Sequence, residues 1–245
     1  MAQTNPDKKQ HDNWLVELVR ITAFPSPGLQ IDRSKWWSDI VGEPPESQLI
    51  LPKKDTSREE GPFGNGRLIL ETQPARIDWV FSKLPDDEAL GDPLAVFEQF
   101  TGLVRRWFDV CGALQRLAFG SILGIPVNSQ PEGYDRLRSF LKSVELDAEN
   151  SSDFLYQINR PRAFEADGFQ IKVNRLSKWS VSLWQMLEIR GVTGGSITSG
   201  NACRLELDLS TDGEFAGELP KDLLTKILDV LIEFGLEISQ RGDVP

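Results

Sequence analysis

The run QRLAFGSILGIPV at positions 115–127 constrains this chain more than any other stretch. Leu114, Leu117, Phe119, Ile122, Leu123 and Ile125 are too continuous for a strand with one wet face, and the run stops at Pro126. Gly120 and Gly124 interrupt it in a way that argues for a strand over a helix. The pattern predicts a buried central strand whose glycines either admit the preceding helix closely or mark a bulge. Lys-Ser/Thr does not follow Gly120-Ser121-x-x-Gly124, so no phosphate-loop signature is present, and the run is too short for a membrane helix.

Other segments supply neighbours for such a strand. WLVELVRITAF (14–24) alternates with period two up to Pro25, and RLILETQPARIDWVFSKL (67–84) reads as two strands about a Gln73-Pro74 turn. PKKDTSREEGPFGNG (52–66) is the most loop-like stretch, and VTGGSITSGN (192–201) reads as a polar loop. Strands are also expected within 152–164, in GFQIKVNRL, in SVSLWQMLEIRGV and in 202–212. Asp92-Pro93 starts a helix of roughly 18 residues with Leu94, Phe97, Val104 and Cys111 along its apolar stripe. Further helices are expected at 131–144 and at 220–238, the latter ended or frayed by Gly235. Without a repeating βαβ unit, this order predicts an α+β fold: a mainly antiparallel sheet with two or three packed helices.

After a polar arm at 1–13, residues 14–245 are expected to form a single domain. Arg116-Leu117 and Arg204-Leu205 each open a strand that leads to a helix, which suggests duplicated halves at 67–150 and 151–240.

Charge and residue supply exclude much. The formal net charge of −10 disfavours nucleic acid and anionic lipid as partners. The N-terminal residues carry no apolar signal core and the two cysteines form no disulfide framework, so a cytoplasmic protein without a membrane segment is expected. The one histidine, His11, lies in the polar arm, far from the makings of a triad or a zinc site. No nucleotide-cofactor motif occurs, and of metal sites only a carboxylate-only magnesium or manganese site stays open. Cys111 and Cys203 read as small packed hydrophobes.

Two groups of residues remain as binding candidates. Adjacent Trp36 and Trp37 cannot both point inward on a regular strand, so one of them is a candidate contact for a partner. Arg160, Arg162 and Arg175, with Lys172, form the best local basic patch. As an alternative acidic site, Glu206 and Asp208 stand two apart on one strand and so share a face, as a metal or acid–base pair requires.

Trp107, Arg116-Leu117-Ala118 and Leu205-Glu206-Leu207-Asp208, taken in order, resemble the motifs of a sporadically distributed prokaryotic family of uncharacterised proteins. The chain departs from that family where it would carry Asn-Arg: it has Leu123-Gly124, and its own Ile158-Asn159-Arg160 comes later. The resemblance implies a patchily inherited accessory gene of the kind found with mobile or defence loci. Together with the missing catalytic apparatus, it leads to the expectation of a non-catalytic protein that binds another protein as adaptor, regulator or neutralising partner. The competing expectation is a carboxylate- and arginine-based small-ligand binder or metal-dependent enzyme using Glu206 and Asp208 with Arg160 or Arg162. Oligomeric state is not legible at this level.

Overall fold

The computed structural model describes residues 13–28, 32–84, 87, 89–190, 194–215 and 217–243, and for 184–190 and 194–199 the backbone alone. The 1–12 arm with His11, and residues 192 and 193 of the glycine-rich segment, lie outside the described residues. The elements in chain order are β1 (Leu15–Pro25), α1 (Trp36–Val41), β2 (Ser47–Leu51), β3 (Thr56–Phe63), β4 (Gly66–Gln73), β5 (Arg76–Ser82) and α2 (Pro93–Phe108). Then follow β6 (Leu114–Val127), α3 (Gln130–Arg138), β7 (Leu155–Asn159), β8 (Arg162–Ala166), β9 (Phe169–Arg190), β10 (Gly194–Thr211) and α4 (Leu224–Arg241).

The ten strands among the described residues join one sheet in the order β2-β3-β4-β5-β1-β6-β10-β9-β7, with β8 on β9 beside β7. Every pairing is antiparallel. The fold is α+β, and β6 is central between β1 and β10.

A strand, a helix, four strands and a helix occur twice in succession. In each set the first strand pairs with the last, β1 with β5 and β6 with β10, and the two first strands pair with each other. An approximate two-fold axis therefore runs between β1 and β6. This repeat divides the chain at 15–108 and 114–241, so Arg116-Leu117 and Arg204-Leu205 occupy the first and last strands of one half. The two ends of the sheet differ. At one end lies β2; at the other, β7 and β8 meet β9 end to end, separated by Arg160-Pro161.

The four α-helices among the described residues pack on one face. Trp37 of α1 stacks on Trp79 of β5 at 6.3 Å between ring centroids, and Trp36 meets Trp107 of α2 edge-on at 5.5 Å. Phe97 of α2 meets Phe119 of β6 at 5.0 Å, Gly235 of α4 lies against Phe119 and Leu207, and Cys203 touches α3 through the Gly133 carbonyl. Asp92 caps α2 by accepting from the N–H groups of Leu94 and Ala95. The opposite face carries Arg20, Arg58, Arg67, Arg76, Lys178 and Arg204 in ion pairs with Glu17, Glu60, Asp78 and Glu206.

Several expectations change. Residues 52–66 are largely strand, not loop: β3 is polar on both sides because Arg58 and Glu60 pair with Glu71 and Arg67 on one face, while Ser57 and Glu59 bond Thr72 and Gln48 on the other. Residues 194–201 continue β10 and pair with β9, forming a ribbon that reaches past the end of the sheet. Gly235 neither ends nor frays α4; a Cβ there would lie 3.1 Å from Phe119 Cε1, so it is a point of close helix–sheet contact. The glycines of the central strand face away from α2. Gly120 lies beside Arg20 on the open face, and Gly124 lies beside Glu17, whose side chain a Cβ would meet at 2.8 Å. A bulge does exist there, but in β1: the register with β6 slips between Val16 and Leu18.

Candidate functional site

Trp36 and Trp37 offer no surface to a partner. Both indoles are buried, at 3% and 2% exposure. They lie on a helix, where neighbours are about 100° apart, and a short helix pressed between β3 and α2 buries both. Gly61 of β3 makes the room: a Cβ there would stand 3.2 Å from the Trp37 ring.

The three arginines do converge, around the C-terminal half of α4. Arg162 Nη1 and Arg175 Nη2 donate to the same oxygen, Glu237 Oε2, at 2.8 and 3.0 Å. Their guanidinium carbons sit 5.0 and 5.1 Å from the centroid of Phe234, one turn earlier. Arg160 donates from Nε and Nη2 to both oxygens of Asp243, at 2.5 and 2.9 Å, and the Tyr156 hydroxyl donates to Oδ2 at 2.7 Å. Arg160 thereby holds the Asp243 carboxyl below the usual carboxylate range against the opposing effect of burial. Burial pushes the Arg175 guanidinium down, and the charge of Arg162 adds to that push. Arg175 is a core residue, 2% exposed, on the helix-covered face of β9. The three arginines are therefore a clamp that docks α4 and the C-terminal turn onto β8 and β9, each paired with one of two carboxylates, Glu237 and Asp243.

Glu206 and Asp208 share the open face, as their spacing requires. Burial pushes the Glu206 carboxyl up, but hydrogen bonds from Lys178 and Arg204, each at 3.1 Å, outweigh it and leave the group below its ordinary value. Asp208 sits across from Gly120 on one side and Leu176 on the other. Glu206 is thus an ion-paired carboxylate rather than half of a free acid–base pair. Among the described residues no three His, Cys, Asp or Glu side chains converge as a metal site would need. Cys111 and Cys203 are buried, and burial raises their thiols to about 11 and about 12, which keeps both protonated at neutral pH.

A groove of about 550 Å³ runs between α2 and α4, with Leu94, Phe97, Ile232 and Leu236 along it and Glu98 and Glu233 at its rim. The Arg105–Asp229 ion pair, at 2.6 Å, bridges the two helices across it.

Sequence reasoning missed the edge strand β2. Every residue of SQLIL is exposed, including Leu49 and Ile50 at 55% each and Leu51 at 39%. The register with β3 puts Leu49 opposite Arg58 on the open face, together with Leu51, while Gln48 and Ile50 point to the helix side. Among the described residues β2 is paired on one side, by β3, so on its other side alternate backbone N–H and C=O groups have no strand partner there. The signal was there: an apolar triplet, Leu49-Ile50-Leu51, between Pro44-Pro45 and Pro52. No helix among the described residues is long and apolar enough to cross a membrane.

No family model matches this chain, and no curated protein sequence matches it either.

Proposed function

We propose that this chain is a non-catalytic protein-interaction protein whose binding element is the β2 edge. The observation that carries the reading is the exposure of three successive large apolar side chains on a strand with one unpaired backbone edge. Native sheets usually blunt such edges with charge or a covering element, because an open strand templates another. Here the strand itself carries no charged residue. Main-chain hydrogen bonds give a strand-adding partner its affinity, and Leu49 and Leu51 on one face with Ile50 on the other give it side-chain contacts. The candidate chemistry elsewhere supports the same reading: both thiols are held protonated, Glu206 is ion-paired, and the arginine cluster is a structural clamp. The resemblance to a prokaryotic accessory family agrees with an adaptor or neutralising role in such a locus.

The reading is tested with a photo-crosslinking residue placed at position 50, and at position 232 in the α2–α4 groove as a control. Crosslinks to another polypeptide at 50 and not at 232, lost on Leu49→Lys, are expected. Crosslinks at 232 that survive Leu49→Lys would move the binding surface to the groove and refute the edge.

A further inference from the structure

We infer that the strand which β2 takes up is β2 of a second copy of this chain, an inference that rests on the edge reading above. The argument is the arrangement of charge along the segment EPPESQLILPKK, residues 43–54. Two acids, Glu43 and Glu46, precede β2, and two bases, Lys53 and Lys54, follow it in the short 3-10 turn Pro52–Lys54. All four are exposed. Neither lysine ion-pairs with any described residue, while Glu46 pairs with Arg67 at 2.9 Å and keeps 61% of its side chain exposed.

Such a segment is complementary to itself when run antiparallel. With Leu49 on the two-fold axis facing its own copy, Ser47 faces Leu51 and Gln48 faces Ile50. In this register Glu46 of one chain faces Pro52 and Glu43 faces Asp55 of the other, so Glu46 has Lys53 and Glu43 has Lys54 as diagonal neighbours. Asp55 is itself held by Arg33 of its own chain at 3.9 Å, and this happens at both ends of the pair at once. Parallel pairing would set acid against acid and lysine against lysine, so the charges select the antiparallel, isologous arrangement that a closed dimer requires. The leucines 49 and 51 of both chains form one apolar strip on the open face. The two sheets become continuous across the junction, and each β2 becomes an interior strand with both backbone edges paired.

Sedimentation velocity on the full chain over a wide concentration range, with a charge-exchange series, tests this. The wild type is expected to sediment as a dimer that weakens as salt rises, because the end contacts are exposed ion pairs. Leu49→Lys, which sets like charges face to face on the axis, and the pair K53E/K54E are each expected to give monomers. Adding E43K/E46K to K53E/K54E inverts the polarity of both ends and is expected to restore the dimer. Restoration in that quadruple variant is an outcome that loss of folding cannot produce, and circular dichroism melts check that each variant is folded. A wild type that is monomeric throughout, or a dimer that Leu49→Lys leaves intact, overturns the inference. If the wild type is monomeric yet still crosslinks to a different polypeptide through position 50, the edge reading stands and only the homotypic partner falls.

Discussion

Removing Glu237 should damage this protein far more than removing the arginine it binds. Arg175 has 1% of its side chain exposed, its Nε has no acceptor among the described residues, and one Nη donates to Glu237 Oε2 at 3.0 Å. Glu237→Gln leaves that guanidinium buried without its directly bonded counter-charge, with only the more distant Asp243 acting on it. Breaking a fully buried pair in this way costs about 3–5 kcal/mol, and the 18% exposure of Glu237 brings the cost below that range, to about 2–3 kcal/mol. Arg175→Met is different. The carboxylate keeps Arg162 at 2.8 Å and Arg241 at 3.2 Å, both reached by solvent, while the methionine keeps the packing on Phe234 without a buried charge. A change of under about 1 kcal/mol, of either sign, is expected. In the Arg175→Met background Glu237→Gln removes only part-exposed pairs, worth roughly 0.5–1 kcal/mol. The double-mutant cycle should therefore show a coupling of about 1–2 kcal/mol. Urea denaturation of the four proteins measures it; for a chain of this size each kcal/mol also moves Tm by about 2–4 °C. Additive costs, or an Arg175→Met variant as unstable as Glu237→Gln, would refute the view that an unmatched buried arginine dominates the clamp.

Other outcomes follow from the same structure. Burial raises the Glu59 carboxyl, against the hydrogen bond from Gln48 at 2.8 Å, so the fold holds that proton more tightly than the unfolded chain does. Stability from Glu59 is full below the unfolded pKa and is lost as pH rises through the folded one. Glu59→Gln should raise Tm at neutral pH, with the gain shrinking as pH falls toward 4; a gain that grows on acidification contradicts the assignment. In α2, Gly102 has open space where a Cβ would go, so Gly102→Ala should stabilise by about 0.5–1 kcal/mol in thermal melts. Gly235→Leu should instead cost about 1–3 kcal/mol by overpacking Phe119 and Leu207, and a neutral result would show that α4 can lift off the sheet. Cys111 and Cys203 should resist iodoacetamide at pH 8 in the native protein and react only after denaturation, read by intact mass; native labelling at either site contradicts their burial.

Elements that combine apolar periodicity with a local cap or turn were legible in the sequence. The Asp92-Pro93 start of α2, the strands either side of Gln73-Pro74 and the central position of β6 all follow from residues near one another in the chain. The polar edge strands were not. β3 satisfies its charges through Arg67 and Glu71, which a one-strand reading cannot see, so TSREEGPF scans as loop. The tryptophan pair was misjudged because the two-residue period of a strand was applied to a helical turn. The arginine clamp was half legible: the cluster of bases showed, but Glu237 and Asp243 come 62 and more residues after Arg175 and Arg160. Only the folding of α4 across β8 and β9 turns that cluster from a free patch into an internal joint.

The unequal ends of the sheet bear on how far the proposed pairing would extend. A sheet with two equally open ends has a valence of two, and edge-to-edge pairing then grows without limit into fibres. Here one end is the continuous five-residue strand β2, while the other is divided by Pro161, with Arg160 and Arg162 tied to α4 and the turn after it. A proline cannot donate to an incoming ladder, and the break shifts the direction of what remains. In the dimer proposed above, pairing through β2 uses up the continuous end of each sheet, and the far ends of the joined sheet are then the β7 and β8 pair divided by Pro161.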